Sequence, residues 1–129
     1  VIRTAEALGI GGVIVGSGCD VYNPKVLRAS MGSALRIEVI ECLSLVPILN
    51  QAKSIGIKTY ATSPDTSAKK INEIDFSTSC LCVIGNEANG VSDEFMAMCD
   101  EKITIPMPGR AESLNAHVAA AITMWEMQR

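Results

Sequence analysis

The chain has 129 residues, of which 48% are hydrophobic and 19% charged, a balance typical of one compact globular domain and not of a disordered chain. Its 11 basic and 14 acidic residues give a net charge of −3, which does not indicate a nucleic-acid partner. No apolar run reaches the roughly 18 residues of a membrane-spanning helix, so we expect no membrane contact.

Cysteine usage indicates a reducing environment. The chain has five cysteines, no C-x-x-C pair and one histidine, which argues against a zinc site, and we expect no bound metal. We interpret the cysteines as small core residues of a cytoplasmic protein and keep a redox role as the alternative. They are Cys19, Cys42, Cys80, Cys82 and Cys99.

Short apolar runs alternate with helical patterns along the chain. The sequence predicts a helix before Gly9, and further helices from the Asn23 cap and Pro24 to about 35, from the Ser44 cap to Gly56, from the Ser92 cap to Cys99, and over 113–128. It predicts strands over 11–16, 37–40, 57–62, 80–85 and 102–107. The polar segment 63–78 is expected to hold one short helix or turn.

This alternation predicts an α/β fold with a mostly parallel sheet and helices on both faces. Ligands of such sheets bind beyond the carboxyl ends of the strands. We therefore expect a site among the loops that follow Thr62, Ile84 and Ile105.

The loop 85–92, GNEANGVS, has the glycine spacing of a phosphate-binding loop. Val91 stands where the lysine of such a loop belongs, and Glu87 would repel a phosphate, so a nucleotide-phosphate enzyme is disfavoured. From spacing alone, a ligand-binding loop and an ordinary solvated turn remain equally open.

The last predicted helix is apolar on almost every side, which indicates burial against both the sheet and a second copy of the chain. Ser113 and Asn115 are expected in its first turn, beside free backbone N–H groups. Ser113 could cap the helix, contact a ligand, or do both. His117 is expected to be a packed or interface residue.

Three stretches together resemble the signature motifs of SpoU-type RNA ribose 2′-O-methyltransferases of the SPOUT superfamily. They are IRTAEALG (2–9), GNEANGVSDE (85–94) and IPMPGRAESLNAHVAAAI (105–122). The segment 23–39 also resembles the second helix of that family. The likeness covers essentially the whole chain, and the S-L-N motif after I-P-M is its most specific part.

The resemblance implies a sheet whose C-terminal segment forms a deep trefoil knot, and a bound S-adenosylmethionine in a bent form. Main-chain groups of the two late motifs hold adenosine in the family, which corresponds here to Gly85, Ile105 and Leu114. Thr62 is expected to join them.

The reaction implied is methyl transfer to a ribose 2′-hydroxyl of ribosomal or transfer RNA. Arg3 corresponds to the arginine that the family assigns to activating this hydroxyl. Because the arginine pKa exceeds about 12, a positioning role is chemically easier to defend. Glu87, Ser113 and Asn115 correspond to the remaining polar residues, Glu87 orienting an arginine and the other two fixing the late loop.

The resemblance also implies a homodimer whose active site draws on both subunits. We expect residues 1–129 to be a catalytic domain that is incomplete at its N-terminus, since the family's motif-1 asparagine and an RNA-binding domain would lie upstream of Val1. The alternative is a catalytically inactive RNA-binding and dimerisation relative, against which the retained Arg3, Glu87, Ser113 and Asn115 argue.

Overall fold

The computed structural model describes residues 1–16 and 20–129. Helices and strands alternate along these ranges, and two single-turn 3₁₀ helices lie among them, at Ser33–Leu35 and Ile71–Glu73. In chain order the elements are α1 (Ile2–Ala7), β1 (Gly12–Val15), α2 (Pro24–Ala29), β2 (Glu38–Glu41), α3 (Val46–Ser54), β3 (Lys58–Thr62), β4 (Lys69–Lys70), β5 (Cys80–Val83), α4 (Asp93–Met98), β6 (Glu101–Thr104) and α5 (Ala116–Gln128).

The strands pair in parallel, which confirms the predicted α/β class. β1 pairs with β2, and a second sheet has the strand order β4, β6, β3, β5. The sequence predicted a single sheet. Within the described ranges the strands instead form two sheets, because no ladder joins β1 to β5.

The larger sheet is covered on both faces. Ala61 of β3 packs with Leu49 of α3 and with Val83, and residues of α4 pack around this cluster. The neighbouring Tyr60 points to the other face, where it packs with Ile71 and Ile103. This alternation is the ordinary consequence of strand pleating, and it places β3 at the centre of the sheet.

Local signals set most helix starts. The Asn23 side chain accepts a hydrogen bond from the Val26 N–H at 3.0 Å, and Ser92 accepts one from the Phe95 N–H at 3.2 Å. Both predicted caps are therefore confirmed. The Ser44 hydroxyl also binds an amide, that of Val46 at 3.2 Å, but the cap position of α3 is Leu45, so the helix begins one residue later than predicted.

The prediction of a helix from Asn23 to about residue 35 was wrong. α2 ends at Ala29, because Met31 and Gly32 adopt left-handed backbone conformations with φ of 56° and 80°. Two such residues in succession break an α-helix, and a 3₁₀ turn follows. Leu35, at the end of the predicted helix, is 71% exposed.

The segment 63–78 contains the predicted short helix as the 3₁₀ turn Ile71–Glu73. It also contains β4, which pairs with β6 and which the sequence did not predict. Two lysines are too short a run to show the alternation of a strand.

The described cysteines are free thiols. Cys99 is buried in the cluster around Ala61, which raises the pKa of its thiol. Cys80 and Cys82 both pack toward Tyr60. Cys19 lies outside the described residues.

Candidate functional site

The carboxyl ends of three strands meet at one edge of the larger sheet. β3 lies between β5 and β6, and all three run in the same direction. The Thr62 hydroxyl, at the end of β3, donates to the Val83 carbonyl at 3.1 Å, and the Ser63 N–H donates to the Ile103 carbonyl at 2.9 Å. Thr62, Gly85 and Ile105 therefore lie on neighbouring strand ends, as the fold prediction required.

The turn 85–90 follows β5 and can be built only with glycine at its first position. A Cβ atom on Gly85 would lie 2.1 Å from the carbonyl carbon of Gly90 and 2.3 Å from the nitrogen of Val91. Such distances exclude any side chain there. Gly90 itself has a φ of +65°, a conformation that favours glycine.

Asn86 closes this turn. Its carbonyl accepts a hydrogen bond from the Gly90 N–H at 3.0 Å, and its side-chain oxygen accepts two more, from Ala88 at 3.0 Å and Asn89 at 2.8 Å. These bonds are all within the turn, so its shape does not depend on a bound ligand. Glu87, at its tip, is exposed.

The segment 106–115 leads from β6 to α5 and corrects the sequence prediction in one respect. The helix begins at Ala116, with Asn115 as its cap: the Asn115 side-chain oxygen accepts from the His117 N–H at 2.8 Å. Ser113 lies outside the helix and is exposed, so neither its placement in the first turn nor its alternative role as the cap is borne out. An asparagine is as good a cap as serine, and two candidates so close together cannot be ranked from sequence.

A contact between Glu87 and His117 links the turn 85–90 to the start of α5. His117 Nε2 lies 3.9 Å from Glu87 Oε1, and both side chains are more than half exposed. Glu87 was expected to orient an arginine; in the part of the chain that the structure describes, the basic side chain within 4 Å of its carboxylate is that of His117. His117 is exposed and not packed within this chain, while its alternative role as an interface residue stays a prediction. Its position two residues after the Asn115 cap was the one available signal for its placement at the mouth of the helix.

Arg3 is exposed on α1. Glu6, one turn further along the same helix, connects α1 to the rest of the domain. Both Glu6 carboxylate oxygens accept hydrogen bonds from Arg36, at 2.7 and 3.1 Å, and one also accepts from the buried Ser33 hydroxyl at 2.7 Å. These donors stabilise the ionised form and lower the pKa of Glu6 to about 2. The short helix that carries Arg3 is thereby tied to the turn after α2.

Within residues 1–16 and 20–129, no three His, Cys, Asp or Glu side chains cluster as metal ligands would. Among the helices described, none combines the length and the apolar character that crossing a membrane requires.

The family assignment follows from comparison with known proteins. Residues 1–125 match the SpoU rRNA Methylase family, which is nearly the whole chain. The chain belongs to this family. The resemblance inferred from the three motifs is therefore confirmed.

Relatives of the family are similar in sequence and in structure. The 23S rRNA (guanosine(2553)-2′-O)-methyltransferase RlmP of Bacillus subtilis is 37% identical over 128 residues, which are 98% of this chain and 51% of that protein. The crystal structure of the SpoU methyltransferase AviRb from Streptomyces viridochromogenes, in complex with AdoMet, superposes with a TM-score of 0.88 at 33% identity, over 99% of this chain and 53% of that one. The TrmH/SpoU tRNA modifying enzyme of A. aeolicus superposes with a TM-score of 0.87 at 30% identity, over 98% of this chain and 64% of that one.

The chain spans about half the length of the curated relatives it matches. Within this SpoU-family fold, the strand ends at Thr62, Gly85 and Ile105 come together, and Glu87 meets the Asn115-capped end of α5. Ser113 and Leu114 lie on the exposed segment that leads into α5, and Arg3 on a separate helix. The functional roles assigned to these residues remain predictions.

Proposed function

We propose that the protein transfers a methyl group from S-adenosylmethionine to a ribose 2′-hydroxyl of ribosomal or transfer RNA. The observation that carries the proposal is that the glycine turn 85–90 meets the capped start of α5, where Glu87 contacts His117. This contact lies at the carboxyl edge of a parallel sheet in a chain of the SpoU family. The relatives RlmP and AviRb, named as methyltransferases, support it.

The residues at this edge suit an adenosine ligand. Gly85 keeps the turn free of a side chain, so that a ligand could approach its backbone closely. Residues 107–114 are mostly exposed and, within the described ranges, make no hydrogen bond, so their N–H and carbonyl groups are available to a purine and a ribose. We assign the binding of the cofactor to main-chain groups of Gly85, Ile105 and Leu114, together with Thr62.

When bound, S-adenosylmethionine supplies an electrophilic methyl group on a sulfonium. The ribose hydroxyl is a poor nucleophile until its proton is withdrawn. A guanidinium is a donor and not a base, so we assign Arg3 to holding the RNA phosphate and orienting the hydroxyl.

Glu87, Ser113 and Asn115 shape the site. The Asn115 side-chain oxygen accepts a hydrogen bond from the His117 N–H and so fixes the start of α5. The Glu87 carboxylate lies beside the His117 side chain at this helix start. We assign to Ser113 a contact that holds the late segment once ligand is bound. No metal is required, since the leaving group is a neutral thioether.

We further propose a homodimer that buries the outer face of α5. Val118 is 47% and Trp125 58% exposed, whereas Ala120, Thr123 and Met124 on the inner face are buried. An apolar helix face of this kind favours a protein partner over water. We also propose that residues 1–129 form the catalytic domain of a cytoplasmic protein, that the segment after β6 forms a trefoil knot, and that RNA-binding residues lie partly upstream.

The enzyme and its inactive alternative make different predictions for ligand binding and turnover. Calorimetric titration of the full-length protein with S-adenosylhomocysteine should show saturable binding. The same protein should transfer labelled methyl from S-adenosylmethionine to bulk ribosomal or transfer RNA. Binding without transfer to either RNA would favour an inactive relative, and a folded dimer that binds nothing would contradict the proposal.

Arg3→Ala tests the catalytic assignment. We expect transfer to fall by about 100-fold or more with cofactor affinity unchanged, since only the placement of the hydroxyl is lost. Lys53→Ala, on α3, is the matched control and should leave transfer unaltered. Equal rates for Arg3→Ala and the parent protein would remove Arg3 from the mechanism.

Trp125→Glu tests the interface by sedimentation velocity. A buried glutamate would be unpaired, so the variant should be monomeric at concentrations at which the parent protein is a dimer. Ile55→Glu, at a residue 66% exposed at the end of α3, is the control. A dimer that survives Trp125→Glu would show that α5 is not the interface.

A further inference from the structure

Methyl transfer to a hydroxyl needs an acceptor for the hydroxyl proton, and the residues assigned to positioning supply none. Arg3 is a donor, and the Ser113 hydroxyl and the Asn115 amide are not bases at neutral pH. Glu87 and His117 carry basic atoms where the glycine turn meets the start of α5, and these atoms lie 3.9 Å apart. One of these two side chains is therefore the natural acceptor.

Imidazole is the better matched of the two bases. The ordinary pKa of a histidine side chain lies close to neutral pH, whereas that of a glutamate lies well below it. A base whose pKa is near the working pH is largely deprotonated and still takes up a proton readily. An ordinary carboxylate is deprotonated but takes up the proton weakly. The chain has one histidine, and the fold places it beside the candidate site.

The start of α5 holds His117 in a defined place. The Asn115 side-chain oxygen accepts a hydrogen bond from the His117 N–H at 2.8 Å, which fixes the backbone of the first helical turn. Further along the helix, Ala120, Thr123 and Met124 are buried and anchor its inner face. The His117 side chain is 68% exposed. The imidazole is therefore open to a ligand at this end of the sheet.

Glu87 is placed to orient the imidazole. Its Oε1 lies 3.9 Å from His117 Nε2, which is longer than a hydrogen bond, but both side chains are more than half exposed and a small rotation would close the gap. Catalytic hydrogen bonds are often long without substrate and shorten in the complex. A carboxylate bonded to Nε2 leaves Nδ1 to face the substrate, and it stabilises the imidazolium that forms.

Other charged groups leave this arrangement undisturbed. Arg110 and Glu112, on the segment that leads into α5, are exposed, and neither forms an ion pair within the described ranges. Glu126 and Arg129, at the far end of α5, pair with each other at 3.2 Å. In the part of the chain that the structure describes, Glu87 is thus the carboxylate that faces the imidazole.

We propose that His117 is the general base of the methyl transfer and that Glu87 holds its imidazole in orientation. This role rests on the function proposed for the chain. As the hydroxyl oxygen bonds to the methyl carbon, the carbon–sulfur bond breaks and its electron pair stays on sulfur, leaving a neutral thioether. The hydroxyl proton passes to an imidazole nitrogen. The imidazolium, which is exposed, then releases the proton to water.

Replacement of His117 in the full-length protein tests the proposal. His117→Gln keeps a polar side chain but removes the base, so we expect methyl transfer to RNA to fall at least about 100-fold. The S-adenosylhomocysteine Kd and the urea midpoint should stay unchanged, because the side chain is exposed. A variant that transfers methyl as fast as an active parent would overturn the proposal and leave the proposed function standing. A parent protein without transfer would instead contradict the proposed function.

The pH dependence separates a base from a structural residue. Only a neutral imidazole can accept a proton, so the parent rate should fall as acid protonates the ring. The rate of His117→Gln should not follow this fall. A slow variant that keeps the acid dependence of the parent would show that another group is the base, and it would overturn the proposal.

Chemical rescue gives a second test of the same point. His117→Ala leaves a space beside Glu87, and added imidazole should raise its transfer rate at least about tenfold. Arg3→Ala, whose own imidazole is intact, is the control and should not respond. A His117→Ala protein that binds S-adenosylhomocysteine but does not respond to imidazole would contradict a general base at this position.

A readout without turnover tests the role of Glu87. In protein labelled with ¹³C-histidine, the His117 imidazole resonance is the one absent from His117→Gln. Glu87→Gln should shift this resonance, because the carboxylate beside the ring is lost. Glu112→Gln, which removes an exposed carboxylate outside the ion pairs of the described ranges, is the matched control and should leave it in place. An unshifted resonance in Glu87→Gln would overturn the assignment of Glu87 as the orienting group.

Discussion

The two turns of the candidate site are built in opposite ways. The turn 85–90 is closed by three hydrogen bonds to Asn86 and by the contact of Gly85 with the backbone of Gly90. Residues 107–114 make no hydrogen bond within the described ranges, and most are exposed. One wall of the site is therefore preformed, while the other has backbone groups free.

This difference suggests a division of labour. A preformed wall fixes where a ligand sits and loses little conformational entropy on binding. A wall with free N–H and carbonyl groups can instead form its hydrogen bonds to the ligand or to a second subunit. Four experiments, given from the largest expected effect to the smallest, test this contrast.

Replacing glycine should affect the two turns very differently. Gly85→Ala forces a methyl group against the Gly90 backbone, and we expect a loss of about 2–3 kcal/mol in the free energy of unfolding, measured with urea. Gly109→Ala places its methyl group in open space and should change stability by less than about 0.5 kcal/mol. Similar losses for both variants would show that the turns are not built differently.

Ligand should protect the second turn more than the first. In the full-length protein, saturating S-adenosylhomocysteine should slow hydrogen exchange of residues 107–114 by about tenfold, because their free amides acquire partners. Amides of Ala88 and Asn89, already bonded to Asn86, should slow by less than about twofold. Equal protection of both segments would contradict a preformed first turn.

Side-chain truncation should separate stability from binding. Asn86→Ala removes the acceptor of two backbone N–H groups and should cost about 1 kcal/mol of stability. Ser113→Ala removes no hydrogen bond present in the described ranges and should leave the urea midpoint unchanged while weakening cofactor binding in calorimetry. A destabilised Ser113→Ala protein would indicate a structural role for that hydroxyl.

Acid should act on α1 and on neither turn. The pKa of Glu6 is lowered in the folded state from 4.5 to about 2, so its contribution to stability is present above pH 4.5 and is lost as pH falls toward 2. Glu6→Gln should therefore shift the urea midpoint slightly at pH 7 and less at pH 3. Glu73→Gln is the control, because Glu73 forms no ion pair within the described ranges. A shift that does not depend on pH would mean that the charge of Glu6 is not what matters.

Sequence patterns predicted features that depend on neighbouring residues. Asn23 and Ser92 cap helices because their oxygens reach amides three residues on, and the apolar runs at 57–62 and 80–85 contain strands. The same patterns failed at Met31, whose positive φ has no sequence signal, and at Ser113, where Asn115 was an equally good cap. They also missed β4, whose two residues pair only because β6 lies beside them.

By itself the sequence determined the family, the parallel α/β class and the glycine turn. Motif spacing, hydrophobic periodicity and the backbone conformations that glycine allows are all local properties of the chain. Only the tertiary structure decided that Glu87 meets His117, that the outer face of α5 is exposed, and that the strands of the described ranges divide into two sheets. These features join residues far apart in sequence. Their contacts depend on how strands are ordered within a sheet, and hydrophobic periodicity carries no information about that order.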